Sequence, residues 1–206
     1  MGKIVVHYLP IRARAEPIKM LLTYVGEEFE VDTFSYADMK ERCKESPNHK
    51  SPWIDYEGKK LAEGFAILRF LAKKHGLYGK NDWDAAEIDM IADAFKDFKL
   101  KLVPYFATAN KFCEGDVEEL KESVLRANLR KDLPLFQGFL EKSTSGFIHS
   151  SGLSWADFMI ANWLFTFNIV DEDFAKNYPD LMEYQKRVHE LPKLKEYIEK
   201  RDHFFF

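Results

Sequence analysis

The stretch SPWIDYEGKKLAEGFAILRFLAKKHG, residues 51–76, decides the fold prediction. Pro52 comes just before a strand-like run, and Glu57-Gly58 is the expected turn of a β-hairpin. An amphipathic helix follows, with apolar residues at helical spacing and Gly76 as its expected end. Glu63-Gly64 stands at the start of this helix, where a capping hydroxyl or a bound anion is expected.

Two βα units precede this stretch. Residues 3–9, KIVVHYL, predict a buried strand, and residues 13–26, ARAEPIKMLLTYVG, predict a helix with an early proline and a final glycine. Residues 28–34, EFEVDTF, alternate polar and apolar side chains as a second strand does. Residues 36–46, YADMKERCKES, indicate a short polar helix. The predicted order is therefore βαβα-ββα, which describes a small α/β domain.

The second half of the chain has helical period almost throughout. Residues 84–112 predict a long helix bent at Pro104, and residues 115–143 predict another that is interrupted at Pro134. A further helix is expected to begin in LSWADF, residues 153–158, because a serine and an aspartate three positions apart form a capping box. We therefore expect this half to be all-α.

Composition places the chain among globular proteins. GLYGKND, residues 76–82, has the composition of a linker, so we expect two domains, residues 1–78 and residues 82–206. A hydrophobic content of 46% is ample for a buried core. A net charge of −4 excludes a general attraction to nucleic acid or anionic lipid. The opening residues do not match a signal peptide and no apolar run is long enough to span a membrane, so we expect a soluble cytoplasmic protein.

Three motifs in order carry a resemblance to a known family: HYLPIRARAE at residues 7–16, SPWIDYEG at residues 51–58 and LSWADF at residues 153–158. Together with the predicted domain order, they make the chain similar to the glutathione transferases, in detail to their sigma class, which includes the prostaglandin D synthases. The resemblance implies a thioredoxin-like α/β domain followed by an all-α domain, glutathione as co-substrate and a homodimer.

The resemblance also implies a catalytic pair. Tyr8 closes the first strand and would donate a hydrogen bond to the glutathione sulfur, with Arg14 as an electrostatic helper and Arg12 in a structural role. Without the resemblance, Tyr8 would be read as half-buried packing and either arginine as a solvated charge. The glutathione-binding residues that the resemblance implies are Tyr8, Arg14, Met39, Lys50, Ser51, Pro52, Glu63, Gly64 and Asp97.

Each part of glutathione has an expected partner. Pro52 would be a cis-proline, with the Ser51 main chain pairing with the cysteinyl backbone. Lys50 would reach the glycyl carboxylate, although a lysine at a loop tip is often only solvated. Asp97 would reach the γ-glutamyl group bound by a neighbouring subunit, unless it is an ordinary solvated charge. Lys96 interrupts the acidic cluster that binds a divalent ion in some prostaglandin synthases, so we expect no metal.

Four positions depart from the family pattern. Gly64 stands where a serine holds the γ-glutamyl carboxylate, and the missing hydroxyl would weaken glutathione binding about ten- to a hundredfold. Met39 replaces a tryptophan, Cys43 a lysine, and Ala13 a glycine beside the thiolate. Glu63 would pair with the ligand's ammonium group while placing negative charge beside its carboxylate. The glutathione site is therefore expected to be weakened rather than absent.

The loop that follows Tyr8, between the first strand and the first helix, is called the tyrosine loop here. The second substrate is expected between this loop and the helical domain, against Leu9, Ile11, Ala13 and Tyr105. The closing HFFF, residues 203–206, is read either as a cover for this cleft or as an apolar tail. Three functions follow: conjugation of glutathione to small hydrophobic electrophiles, carriage of hydrophobic ligands with little or no catalysis, and glutathione-dependent prostaglandin isomerisation.

Overall fold

The computed structural model describes residues 3–201, so the closing residues 203–206 lie outside the described part of the chain. A four-stranded sheet with three helices comes first, and a set of helices follows, which confirms the predicted fold class. The first part contains, in chain order, β1 (Ile4–Tyr8), α1 (Glu16–Val25), β2 (Phe29–Thr33), α2 (Met39–Arg42, continued by a 3-10 turn over Cys43–Glu45), β3 (Trp53–Tyr56), β4 (Lys59–Ala62) and α3 (Gly64–His75).

The second part is helical. It contains α4 (Asp82–Lys101), α5 (Val103–Ala109), α6 (Val117–Leu120, continued by a π-helical segment over Lys121–Arg126), α7 (Ala127–Lys142), α8 (Trp155–Val170), α9 (Phe174–Asn177), α10 (Pro179–His189) and α11 (Leu194–Lys200). The division into domains at residues 78–82 stays a prediction. Within residues 3–201, no helix is both long enough and apolar enough to cross a bilayer.

The sheet has the strand order β2-β1-β3-β4. β1 runs parallel to β2 and antiparallel to β3, so it occupies the centre of the sheet next to the hairpin strand. Ile4, Val6 and Tyr8 of β1 are all buried. The predicted hairpin turn is confirmed, because Glu57 and Gly58 both have positive φ angles, of 49° and 75°, as a type I′ turn requires.

The two helical prolines behave differently. Pro104 lies in the first turn of α5, so the single long helix predicted to bend there is instead two helices, with α4 ending at Lys101 and α5 beginning at Val103. The interruption predicted at Pro134 is wrong, because α7 runs through this residue. The proline removes one backbone donor, but the buried side chains of Leu133 and Phe136 hold the helix against the core on either side of it.

Helix α8 is the centre of the helical part. Its capping box is confirmed, and Asp157 is fully buried. The Asp157 carboxylate accepts hydrogen bonds from the Ser154 N–H at 2.7 Å, the Ile148 N–H at 2.8 Å and the Tyr184 hydroxyl at 2.8 Å. It therefore ties the start of α8 to the preceding loop and to α10. The N–H of Trp155, the first residue of α8, also donates to the Leu77 carbonyl at 3.0 Å.

Candidate functional site

The central strand β1 ends in the candidate catalytic tyrosine. Tyr8 is 5% exposed, and its hydroxyl oxygen accepts a hydrogen bond from the Arg14 backbone N–H at 3.4 Å. Burial raises the pKa of the Tyr8 hydroxyl, and the nearby Arg14 opposes this shift only in part. The phenol therefore stays protonated at neutral pH, which is the state that can donate a hydrogen bond to an anion.

The loop between β1 and α1 holds three predicted residues in different environments. Arg14 is exposed, whereas Arg12 is buried with its guanidinium 4.9 Å from the Phe165 ring centre. Ala13 has a positive φ of 26°, and its carbonyl accepts a hydrogen bond from Asn162 Nδ2 at 3.5 Å. The burial of Arg12 agrees with its expected structural role. Helix α8 contacts this loop through Asn162 and Phe165.

The Ser51-Pro52 peptide bond is cis. Pro52 lies beside the start of α3, since a Cβ atom added to Gly64 would be 3.8 Å from Pro52 Cγ. The same Cβ would be 3.5 Å from the Arg14 carbonyl oxygen. The structure therefore brings the tyrosine loop, the cis-proline and the start of α3 to one place.

Glu63 is the N-cap residue of α3 and has an unusual backbone for a residue with a side chain, with φ at 71°. Such outliers cost about 1–3 kcal/mol and are found at ligand clamps. Its carboxylate accepts a hydrogen bond from Asn48 Nδ2 at 2.7 Å. Gly64 then begins a helix of 12 residues, whose free N–H groups and dipole favour an anion at this end.

Other predicted glutathione ligands lie on exposed parts of the surface. Lys50 is exposed at a loop, and its backbone N–H donates to Asn48 Oδ1 at 3.2 Å. Met39 is 37% exposed at the start of α2, and Asp97 is exposed on α4. Cys43 is buried. The positions of Lys50, Met39 and Asp97 leave their side chains accessible to a ligand, but their roles stay predictions.

The four residues expected around the second substrate do not share one cavity. Leu9 and Ile11 line a cavity of about 410 Å³ between the β1–α1 loop, β2 and α11. Tyr105 and Ala13 are not among the residues that line it. Tyr105 is 3% exposed on α5 and packs edge-on against Phe106 at 5.1 Å. Its side chain is therefore mainly a core contact in this structure.

Sequence reasoning missed Lys99 and Trp163. The Lys99 ammonium lies 4.5 Å from the Trp163 ring centre and 5.8 Å from that of Phe65, the residue after Gly64. Burial, and then the positive charges of Arg14 and Lys96, lower the pKa of Lys99 to about 7. The signal was present in the sequence, because residue 99 falls four positions after the buried Phe95, on the face of α4 where a lysine is unexpected.

Two groups of side chains in the described part of the chain are spaced closely enough to hold a metal ion. One is Asp84, Glu87 and His149, and the other is the run from Asp171 to Asp173. Neither includes Asp97. In the second group, Arg126 already pairs with Asp171 at 2.7 Å. The expected absence of a metal stays a prediction.

Comparisons with known proteins show which family the chain resembles. Residues 4–73 match the family model described as glutathione S-transferase, N-terminal domain, and residues 96–201 match the model described as glutathione S-transferase, C-terminal domain. A probable glutathione S-transferase 6 of Caenorhabditis elegans is 31% identical, with 97% of each chain covered.

Two solved structures are also similar over nearly the whole chain. The glutathione S-transferase Na-GST-3 of the hookworm Necator americanus, described as monomeric, has a TM-score of 0.94 and 31% identity, with 100% of both chains covered. The prostaglandin synthase D of Nilaparvata lugens has a TM-score of 0.86 and 25% identity, covering 98% of this chain and 100% of that one. On the matching family models and the full-length relatives, this chain belongs to the glutathione S-transferase family.

Proposed function

We propose that the protein is a transferase that joins the thiolate of glutathione to small hydrophobic electrophiles. The observation that carries the proposal is the buried Tyr8 hydroxyl at the end of β1, close to the cis-proline and the start of α3. Because its pKa is raised, Tyr8 remains a hydrogen-bond donor at the pH where a thiol must become a thiolate.

The energetic requirement on Tyr8 is modest. A free thiol has a pKa of about 8.5, and lowering it by about two units takes roughly 2.7 kcal/mol. One hydrogen bond to a charged acceptor supplies about 1.5–3 kcal/mol. Tyr8 can therefore supply most of the shift, and the exposed Arg14 adds positive charge next to it.

Glutathione would lie along the surface formed by these elements. The proposal places the cysteinyl backbone against Ser51, and the γ-glutamyl carboxylate at the N-terminus of α3 beside Gly64, with the Glu63 side chain close to the ligand's ammonium group. Lys50 and Met39 would contact the glycyl end. The exposed side chain of Asp97 is available to a second copy of the chain, which supports a homodimer.

The same proposal includes three further properties of the protein: it belongs to the sigma class, it is cytoplasmic and it forms a homodimer. The monomeric description of Na-GST-3 makes the oligomeric state a direct test. Light scattering coupled to gel filtration should give twice the chain mass of 24.2 kDa. A mass of one chain at micromolar concentration would contradict the role of Asp97 in a neighbouring site.

Tyr8→Phe tests the mechanism, with Tyr24→Phe as the matched control. Tyr24 packs against Phe158 at 5.6 Å, so its replacement also removes one hydroxyl from a partly buried ring. Tyr8→Phe should lower kcat/KM for a generic aryl halide by at least about tenfold and raise the pKa of bound glutathione, read from thiolate absorbance, by about one unit or more. Unchanged conjugation in Tyr8→Phe would exclude this mechanism.

Two other functions each have one supporting observation. A hydrophobic-ligand carrier is favoured by Gly64, which lacks the hydroxyl that would hold glutathione. Saturable binding of a fluorescent apolar dye should then survive Tyr8→Phe. A prostaglandin isomerase is favoured by the similarity to the Nilaparvata lugens prostaglandin synthase D. It requires conversion of an endoperoxide to the D product, and normal conjugation without this conversion would exclude it.

A further inference from the structure

We propose that Lys99 is a substrate-binding residue that donates a hydrogen bond to the carbonyl oxygen of α,β-unsaturated ketones and aldehydes, and that it selects these compounds as second substrates. The inference rests on the proposed function, since it names the electrophile that the glutathione thiolate would attack.

Lys99 lies between two parts of the candidate site. Its ammonium is 4.5 Å from the centre of the Trp163 ring on α8 and 5.8 Å from that of Phe65 on α3. The Trp163 ring in turn packs edge-on against Phe106 of α5 at 5.5 Å. Trp163 and Phe106 are both partly exposed, so the ammonium borders an aromatic surface that a flat conjugated molecule can cover.

The charges around Lys99 are positive. Arg14 acts on it electrostatically from the loop after β1, and Lys96 from its own helix. Helix α8 contributes the uncharged ring of Trp163, and α3 contributes the ring of Phe65, over which the Arg69 guanidinium also lies at 5.7 Å. No ion pair or hydrogen bond of the Lys99 ammonium is found within residues 3–201. A partly buried cation without a counter-charge favours a ligand that brings negative charge or a strong acceptor.

Lys99 is also linked to the candidate thiolate site. Arg14 acts electrostatically on Lys99, and the same residue contacts the Tyr8 hydroxyl through its backbone N–H at 3.4 Å. Tyr8 would hold the sulfur, so an electrophile stacked on Trp163 would have its oxygen near Lys99 and its carbon chain towards the thiolate. In this proposal, the thiolate nucleophile beside Tyr8 would be separated from the Lys99 ammonium, which stabilises the negative charge on the substrate oxygen.

Conjugate addition needs such a separation. The thiolate attacks the β-carbon and forms a carbon–sulfur bond, while the electron pair of the carbon–carbon double bond moves to give an enolate. The Lys99 ammonium donates its proton to the enolate oxygen, and the enol then becomes the ketone. The neutral Lys99 amine then takes a proton from water. Water also receives the proton that the glutathione thiol released, so the two transfers balance. With a pKa of about 7, Lys99 can both donate and recover a proton near neutral pH.

The kinetic test compares an enone with an electrophile that has no carbonyl oxygen. Benzylideneacetone and benzyl chloride have similar rings, but the chloride leaves with its own negative charge. Lys99→Met should lower the ratio of kcat/KM for the enone to that for the chloride by at least about tenfold. Lys101→Met is the matched control, because Lys101 pairs with Asp132 at 2.8 Å, away from Trp163, and should leave the ratio as it is. An equal loss on both substrates, or no loss, would overturn the proposal.

A binding test does not need turnover. Hydrocinnamate is an unreactive carboxylate whose oxygen stands in for the enolate, and its binding can be followed by calorimetry without glutathione at about pH 6 and about pH 8.5. The natural protein should bind it at least about fivefold more weakly at the higher pH, because Lys99 loses its charge while Tyr8, with its raised pKa, stays protonated. Lys99→Arg should bind hydrocinnamate equally well at the two pH values, because arginine stays charged at both. Lys99→Met should bind it weakly at both pH values.

The outcomes separate the two proposals. Affinity that does not change with pH in the natural protein, or strong binding by Lys99→Met, refutes the role of Lys99. Glutathione binding without turnover of either electrophile refutes the proposed transferase function. In that case the hydrocinnamate measurement still decides whether Lys99 binds an oxygen acceptor.

Discussion

A serine in place of Gly64 is expected to tighten glutathione binding. A Cβ atom at this position would be 3.5 Å from the Arg14 carbonyl oxygen and 3.8 Å from Pro52 Cγ, which are ordinary contacts, so the side chain fits without displacing its neighbours. Gly64 has no positive φ that would strain a serine. The added hydroxyl would lie at the N-terminus of α3, where it can donate to the γ-glutamyl carboxylate.

The expected gain follows from the contacts. A hydrogen bond to a charged group contributes about 1.5–3 kcal/mol, and partial exposure of this position favours the lower end, or about tenfold in Kd. Exchanging glycine for serine in the helix should also raise the free energy of unfolding by a few tenths of a kcal/mol. Calorimetric titration with glutathione measures the first effect and urea unfolding the second.

Gly64→Ala is the matched control for this prediction, because it adds the same Cβ contact and favours the helix but brings no hydroxyl. Alanine should therefore stabilise the fold without tightening glutathione binding. Equal tightening by alanine and serine would show that helix order, not the hydroxyl, limits affinity. If neither variant binds better, the reasoning that places the γ-glutamyl carboxylate at Gly64 is refuted.

Three further predictions concern stability. Asp157→Ala should lower the free energy of unfolding by about 3–5 kcal/mol in urea, since it leaves the Ile148 N–H and the Tyr184 hydroxyl buried without their acceptor. Burial lowers the pKa of His189 to about 3. As the pH falls, the unfolded state therefore binds the proton before the folded state does, and the free energy of unfolding should fall between about pH 6.5 and pH 3. His189→Gln should flatten that decline in acid unfolding curves. Because the pKa of Lys99 is lowered to about 7, stability should rise from about pH 7 to pH 10, and Lys99→Met should remove this slope; a slope unchanged by the variant would contradict the assignment.

Several parts of the fold could be predicted because their signals are local. A glycine that ends a helix, a Glu-Gly hairpin turn and a serine–aspartate capping box each depend on a few neighbouring residues, and the structure shows all three. Tyr8 could be placed because the end of a strand is readable from the pattern of β1.

The errors and omissions arise where distant segments meet. Pro134 was expected to interrupt a helix, but the packing of its neighbours outweighs the lost hydrogen bond. Tyr105 was expected against the substrate, and the structure buries it beside Phe106, so its contact with a substrate stays a prediction. The environment of Lys99 depends on Phe65 and Trp163, which are far from it in the chain. The aromatic partners of these residues have no signature in the local sequence, although a lysine on the buried face of α4 is itself visible there.

The sequence alone therefore determined the order of helices and strands in the first part of the chain, the helical character of the second part and the position of Tyr8 at the end of β1, because backbone geometry and hydrophobic period act over a few residues. Only the tertiary structure decided which side chains became buried together and how their charges changed. The reason is physical: the lowered pKa of Lys99 and the hydrogen bond from the Tyr184 hydroxyl to Asp157 depend on segments that are far apart in the chain and that exclude water where they pack together.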